Sequence, residues 1–286
     1  GWGMGYLGGI VVLLLIFFLF IKPEVGLFGV TDEGALDVRA SMIVCGVWTL
    51  IFTIPAFLLL KDRPSERPPK VGIAQSYRLL GQTIRRLWGT SRHTVYFLLA
   101  SALFRDGLAG VFAFGAVLAA GTFGMSAGDV IIFGAAANIV AGLATMAFGM
   151  LDDKIGPKKV ILGSLAGLVI IGLGIFFLHD GGAKVFWILG LLMTIFVGPA
   201  QAASRSFLAR LIPEGKNGEI FGLYATTGRV VSFLSPAAFG LAMGLGAAIT
   251  GKENTQYWGI LGIALILLAG LLVMLPVKEH HEHSFN

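Results

Sequence analysis

The chain has 286 residues, of which 56% are hydrophobic and 13% are charged, and its formal net charge is +5. A typical soluble domain has about 25% charged residues, and a compact soluble protein could not hide this much apolar side chain. The composition therefore excludes an ordinary soluble domain and indicates lipid as the solvent. A single cysteine, Cys45, excludes a disulfide framework and a cysteine-rich metal site.

Long apolar runs are the strongest signal in the sequence, because about 20 apolar residues span the hydrocarbon core of a bilayer. Irregular backbone cannot face lipid, so each run is expected to form a helix. The sequence predicts an all-α membrane protein with eight transmembrane helices, at about 3–21, 40–60, 94–120, 129–150, 159–178, 184–204, 219–247 and 256–277.

The distribution of lysine and arginine predicts the orientation of these spans. Of the 21 cationic residues, fifteen fall in one set of loops, four fall in the other set, and Arg105 and Arg229 lie within predicted spans. This bias places both ends of the chain in the cytoplasm. It also argues against a nucleic-acid site, because the cations are not gathered on one face.

The longest polar stretch, residues 61–93, contains several prolines and separates two predicted spans from six. In its second part, apolar residues at helical spacing (Ile73, Tyr77, Leu80, Ile84, Leu87 and Trp88) lie opposite Arg78, Arg85 and Arg86. This pattern predicts an amphipathic helix on an anionic leaflet; a solvated linker helix is the alternative. The predicted parts of the chain are 1–60, the cytoplasmic linker 61–93, the bundle 94–277 and a cytoplasmic tail 278–286.

A glycine-rich charged loop, GMLDDKIGPKK at residues 149–159, lies between the fourth and fifth predicted spans. Gly149 is expected to permit close packing at a helix end, and Gly156 a turn with positive φ. The carboxylate of Asp153 is placed where a helix N-terminus or a lysine can hold it. An ordinary charged boundary loop is the alternative. The loop resembles the repeated cytoplasmic motif of the major facilitator superfamily, G-x-L-x-D-[RK]-x-G-x-[RK]-[RK].

That resemblance implies a conformational latch, because in the superfamily the motif holds two helices together in one transport state. The residues of the implied latch are Gly149, Asp153, Lys154, Gly156, Lys158 and Lys159. In the superfamily the motif joins the second and third helices of each six-helix half. The resemblance therefore implies a complete C-terminal six-helix bundle preceded by the last two helices of an N-terminal one. The chain would then be a C-terminal fragment that lacks about four helices.

Further stretches extend a looser resemblance along most of the chain. They are GYLGG at 5–9, FRDG at 104–107, GPAQAASRS at 198–206, Pro213, GE at 218–219, FGLY at 221–224, GR at 228–229 and Pro236. They are similar to the vacuolar effluxer family of autophagy and its bacterial relatives. Fungal members are linked to amino-acid efflux from the vacuole, so the resemblance implies transport and favours an amino acid as cargo.

Three ionisable residues, Arg105, Asp106 and Arg229, lie in mid-span, where charge is expensive and usually functional. In the superfamily fold their helices line a central cavity, so Arg229 could meet Asp106 there. One hypothesis is that Asp106 takes up and releases a proton while Arg105 or Arg229 holds a substrate carboxylate. The alternatives are a static ion pair and an arginine that snorkels toward the membrane surface.

Several neutral polar residues and two prolines complete the candidate set. Hydrogen-bonding groups that could line the cavity, or instead bond helix to helix, are Asn138, Gln201, Ser204 and Tyr224. Pro199 and Pro236 are expected to bend their helices by removing a backbone donor.

The sequence predicts a secondary active transporter rather than an enzyme, moving a small polar solute outward by alternating access with proton coupling. A lipid or drug exporter, a membrane-embedded enzyme and a non-transporting sensor remain alternatives. We expect no cofactor and no metal, although residues 280–283 (HHEH) could bind one if the tail is not simply solvated. The expected partners of this monomer are a small-molecule substrate and the lipid bilayer of a bacterial cytoplasmic membrane, with no nucleic acid.

Overall fold

The computed structural model describes residues 2–59, 73–212 and 217–278, and these residues form ten α-helices without strands. The helices are α1 (Trp2–Ile16), α2 (Leu36–Leu59), α3 (Ile73–Thr90), α4 (Arg92–Gly121), α5 (Ala127–Ile155), α6 (Pro157–Phe177), α7 (Gly182–Leu211), α8 (Asn217–Val230), α9 (Leu234–Thr250) and α10 (Gln256–Met274). A π-helical turn, Phe17–Ile21, prolongs α1. The predicted all-α fold is confirmed.

Seven segments of the described chain are long and apolar enough to cross a membrane: α2, α4, α5, α6, α7, α10, and α8 together with α9. The first of the eight predicted spans is a shorter apolar helix, Gly5–Ile21. The structure therefore supports seven spans, and the predicted count of eight stays a prediction. Span 219–247 was expected to be one helix; it is instead divided into α8 and α9.

Several helices begin before, or end after, the apolar runs from which the spans were predicted, because flanking residues also favour helix. Ser126 caps α5, its Oγ accepting a hydrogen bond from the Asp129 backbone N–H at 3.1 Å. Pro157 occupies the first turn of α6, where its missing N–H costs nothing. α7 runs through Pro199 without a break and ends at Leu211, so Arg205, assigned to a loop from the sequence, lies inside this helix.

Glycines allow α4 to lie close to α9 and α10 at the centre of the fold. A Cβ on Gly107 would lie 2.7 Å from a methyl of Leu267, and one on Gly110 would lie 2.8 Å from the Cβ of Ser235. Such small residues let transmembrane helices approach closely. Because Phe104 and Leu108 of α4 are also fully buried, α4 has little room to move without its neighbours.

The N-terminal helices and the linker are less enclosed. α1 packs against α5, whereas no residue of α2 is buried. α3 confirms the predicted linker helix, but residues 60–72, with the linker prolines, and the tail 279–286 lie outside the described residues. The predicted division of the chain at the linker therefore stays a prediction.

Candidate solute site at a broken transmembrane helix

The break between α8 and α9 has a local cause in Pro236. A proline three residues into α9 cannot donate the backbone hydrogen bond that would continue the α8 ladder through Ser232. Residues 231–233 form a turn instead of a helix, and Ser232 Oγ donates to the carbonyl of Arg229 at 2.9 Å. The predicted bend at Pro236 is therefore confirmed, and it is a complete interruption.

The first turn of α9 leaves one backbone donor without an acceptor in α9 itself or in the preceding turn. Leu234 N–H bonds to the carbonyl of Val231 and Ala237 N–H to that of Phe233, while Pro236 has no N–H. Phe233, at the N-cap, has no side-chain acceptor. The remaining donor is the N–H of Ser235, which would be costly to bury unpaired.

Asp106 of α4 supplies the missing cap from a different helix. Its Oδ2 accepts a hydrogen bond from Ser235 N–H at 2.7 Å, and Ser235 Oγ donates to the Asp106 carbonyl oxygen at 2.8 Å. The Asp106 residue is only 5% exposed. Because a helix N-terminus is the positive end of the helix dipole, a carboxylate is well placed there.

Arg105, the preceding residue, contacts the other half of the broken helix. Its Nη1 donates to the carbonyl oxygen of Tyr224 at 2.8 Å, and its guanidinium carbon lies 3.9 Å from the centroid of the Tyr224 ring. The guanidinium also lies against Gly228, in the last turn of α8. A cation beside the C-terminal turn complements the negative end of that helix, so α4 holds both halves with opposite charges.

Beside this joint lies a cavity of ≈ 310 Å³ between α4, α7 and α8. Its lining residues are Arg105, Asp106, Ala109, Gln201, Arg205, Gly228, Arg229 and Ser232. Three arginines and one aspartate give the lining a formal excess of two positive charges. Since the aspartate is engaged by α9, the cavity presents mainly guanidinium groups, which suit planar carboxylates.

A sequence profile of the family described as "Vacuole effluxer Atg22 like" matches residues 1–284. The chain belongs to this Atg22-like family. It is 24% identical to an uncharacterized MFS-type transporter, YxiO, of Bacillus subtilis, over 98% of this chain and 62% of that protein. Identity to autophagy-related protein 22 is 24% in Yarrowia lipolytica and 25% in Coccidioides immitis, over 99% and 98% of this chain.

The Atg22-like chain spans 62% of the Bacillus relative and 51% and 48% of these two fungal relatives. The resemblance to the effluxer family and to the major facilitator superfamily is confirmed by these matches. Together with the seven long apolar helices, they establish an integral membrane protein related to transporters.

Four of the residues singled out from the sequence meet at the cavity of the Atg22-like protein: Arg105, Asp106, Arg229 and Gln201. Arg229 and Asp106 line the same space, but no ion pair joins them in the described chain. The static ion pair, one of the alternatives, is therefore not formed between these two residues, and the partners of Asp106 are the backbone N–H and the hydroxyl group of Ser235.

Ser204, Tyr224 and Asn138 are not part of the cavity lining, although Tyr224 contacts Arg105. Ser204 Oγ and Tyr224 Oη are 2.6 Å apart, and both residues are buried, which fits helix-to-helix bonding between α7 and α8. Asn138 lines a separate apolar cavity and donates to the carbonyl of Gly134 at 2.8 Å. None of the three lines the arginine cavity, so a solute contact from them stays a prediction.

Arg205 and Ser235 lie at this candidate site, although neither was among the candidates predicted from the sequence. Arg205 donates to the carbonyl of Gln201, one turn earlier in α7, at 3.0 Å. The position of Arg205 inside a helix could have been predicted, because the residues after 204 favour helix until Pro213. No local signal pairs Ser235 with Asp106, which is 129 positions away.

The glycine-rich loop of the Atg22-like protein connects α5 to α6 through one residue, Gly156, at φ 87°, as predicted. Lys158 Nζ donates to the carbonyl of Leu275 at the end of α10, at 2.9 Å. Asp152 is buried and lies 3.9 Å from Arg210 of α7, whereas the predicted carboxylate, Asp153, is exposed.

Close packing at Gly149 does not occur among the described residues, so that expectation stays a prediction. A Cβ there would meet no atom of the described structure within 4 Å. The tight approach of α5 to α7 occurs instead at Gly198, where a Cβ would clash with Thr145 and lie 3.0 Å from the carbonyl of Ala141. The latch role of the loop stays a prediction.

Proposed function

We propose that this Atg22-like protein is a secondary active transporter that exports a small carboxylate-bearing solute, an amino acid or similar molecule, by alternating access. The cavity beside the α8–α9 break is its share of the solute site. The proposed location is a bacterial cytoplasmic membrane, with both ends of the chain in the cytoplasm. Export is favoured because the matching family is described as effluxers.

The observation that carries this proposal is the set of three arginines that line one cavity. Arginine in a span is expensive unless it has a task. Arg105 has a structural task at Tyr224, but Arg229 is exposed at the cavity without a carboxylate partner among the described residues. Arg205 lines the same cavity, and Arg229 is therefore suited to bind a carboxylate group of the solute.

The size of the cavity limits the solute. Sites for drug-sized ligands are about 300–1,000 Å³, so ≈ 310 Å³ is at the lower bound. A molecule of amino-acid size fits such a volume, while a lipid would extend out of it.

Proton coupling through Asp106 is part of the proposal. A protonated Asp106 keeps an oxygen that can accept from Ser235 N–H, but it loses the charge that complements the α9 N-terminus. Protonation would therefore loosen α9 from α4 without removing the hydrogen bond. Because α9 follows directly on the cavity-lining turn, this links a proton to the geometry of the solute site.

The test is counterflow in proteoliposomes that contain the full-length protein, with pools of labelled amino acids. We expect saturable exchange of one pool, loss of that exchange in Arg229→Gln, and normal exchange in the matched control Lys252→Gln at the opposite end of the bundle. Asp106→Asn is expected to exchange solute but no longer respond to a pH gradient. Absence of exchange for every pool by folded protein would contradict the amino-acid assignment.

A lipid or drug exporter is the second candidate, favoured by a different observation. An apolar cavity of ≈ 150 Å³ lies between α4, α5, α7 and α10, with Phe133, Phe186 and Met193 in its wall. Efflux of an apolar dye that survives Arg229→Gln but is blocked by Gly190→Phe would support this alternative. A protein that moves neither probe would instead be the non-transporting sensor.

A further inference from the structure

α3 presents one side to the protein and leaves another side uncovered. Leu87 is 8% exposed and belongs to the buried core, and Thr83 Oγ1 donates to Glu219 Oε1 of α8 at 2.5 Å. Ile84 and Trp88, one turn apart, are 40% and 46% exposed. Among the side chains of α3 that the structure describes, those that contact the bundle lie along one edge.

The uncovered apolar edge is bordered by cations. At 100° per residue, Arg85 projects next to Ile84, and Arg78 falls on the same side two turns earlier; both arginines are exposed. Apolar and basic sectors side by side on a surface helix are typical of helices that lie at the boundary between headgroups and acyl chains.

The position of Trp88 fixes the depth of this edge. Its ring lies 5.8 Å from the ring of Tyr96, which is in the second turn of α4 and thus at the point where that span begins. Tryptophan and tyrosine concentrate at the interface between water and hydrocarbon. The contact with Tyr96 therefore places Trp88 beside the first turns of the α4 span.

We propose that α3 is a lipid-contact helix that lies on an anionic bilayer leaflet. Ile84 and Trp88 enter the headgroup boundary, and Arg78 and Arg85 bind the phosphates of anionic lipids. The hydrogen bond from Thr83 to Glu219 connects this lipid-contact helix to the first turn of α8, which is the first half of the broken helix. The proposal holds whether or not the protein transports a solute.

The experiment measures the surroundings of α3 in the full-length protein with a nitroxide label. Cys45, the one cysteine of these 286 residues, is replaced by serine together with every other native cysteine of the full-length protein. The label is then attached at Ile84→Cys or at Gln82→Cys, which faces away from the apolar edge. Collision rates with oxygen and with a water-soluble nickel chelate are recorded in nanodiscs of phosphatidylcholine, with or without phosphatidylglycerol.

We expect the label at position 84 to favour oxygen and the label at 82 to favour nickel, with a larger contrast when phosphatidylglycerol is present. Replacing both arginines (Arg78→Gln with Arg85→Gln) should remove the phosphatidylglycerol effect, which corresponds to roughly a 30-fold weaker attraction to the anionic surface. Lys252→Gln should leave it unchanged.

Each other outcome would overturn the proposal. Preference for nickel at position 84 would place α3 in water. Shielding of position 84 from both reagents would mean that protein, not lipid, covers this edge. An oxygen preference at 84 that is equal with and without phosphatidylglycerol would remove the anionic lipid from the assignment.

Discussion

The cap from Asp106 to α9 predicts a specific order of stabilities when Asp106 is replaced. Asn and Asp are about equally good at a helix N-terminus because both offer an oxygen to the backbone. Asp106→Asn keeps an acceptor for Ser235 N–H and loses only the charge, so we expect a cost of about 1 kcal/mol or less. Removal of a charge from a buried site offsets part of that cost.

Asp106→Ala removes the acceptor altogether. Loss of a cap costs about 0.5–2 kcal/mol, and a buried unpaired donor costs about 1–3 kcal/mol. Because Asp106 is 5% exposed, water cannot readily replace the carboxylate. These two ranges describe the same lost hydrogen bond, so we expect Asp106→Ala to lower the free energy of unfolding by about 1–3 kcal/mol.

The assay is unfolding of the purified full-length protein by titration of sodium dodecyl sulfate into mixed micelles, followed by circular dichroism. Ser235→Ala is the control, since it keeps the backbone donor and loses only the bond from Oγ to the Asp106 carbonyl, worth about 1 kcal/mol. Equal destabilisation by Asn and Ala would show that the charge, not the acceptor, holds α9. An unchanged stability of Asp106→Ala would refute the cap.

Three further replacements test other contacts. Arg105→Gln loses the contact with α8 and is expected to reduce the free energy of unfolding in the same titration by about 1–3 kcal/mol; no change would mean that the guanidinium does not hold that helix. Gly198→Ala overpacks α5 against α7 at Thr145 and should cost about 1–3 kcal/mol in that titration, whereas Gly163→Ala, which meets no neighbour, should be nearly silent. Lys158→Met removes the hydrogen bond to the end of α10 and should alter the maximal counterflow rate several-fold with an unchanged half-saturation concentration. An unchanged rate would mean that the loop does not act as a latch.

The helices could be predicted from the sequence because apolar length is a local property. Most predicted spans agree with a helix of the structure, and Gly156 was correctly assigned a positive φ from its place between two helices. The errors lie where the local pattern is ambiguous. Arg205 was assigned to a loop because charge usually ends a span, and the break before Pro236 could not be distinguished from a bend.

The site was predictable in its members but not in its connections. Mid-span charge pointed to Arg105, Asp106 and Arg229, since such residues are rare in lipid. Their partners are backbone groups far along the chain, and a backbone N–H or carbonyl has no signature in the sequence. For that reason the sequence could suggest an ion pair between Arg229 and Asp106, but not the contacts that Asp106 makes to Ser235 and Arg105 makes to Tyr224.

The contacts of α4 with both halves of the broken helix have a consequence for the insertion of the protein into the membrane. Arg105 and Asp106 leave the ribosome 119 and 129 residues ahead of the residues that bind them, Tyr224 and Ser235. At about 5–20 residues per second, that interval is roughly 6–25 s. During it, each unmatched charge costs about 2.5–3.5 kcal/mol at the centre of the inserted helix. We therefore expect α4 to stay beside the insertion machinery until α8 and α9 emerge, so that these later helices allow its release into lipid.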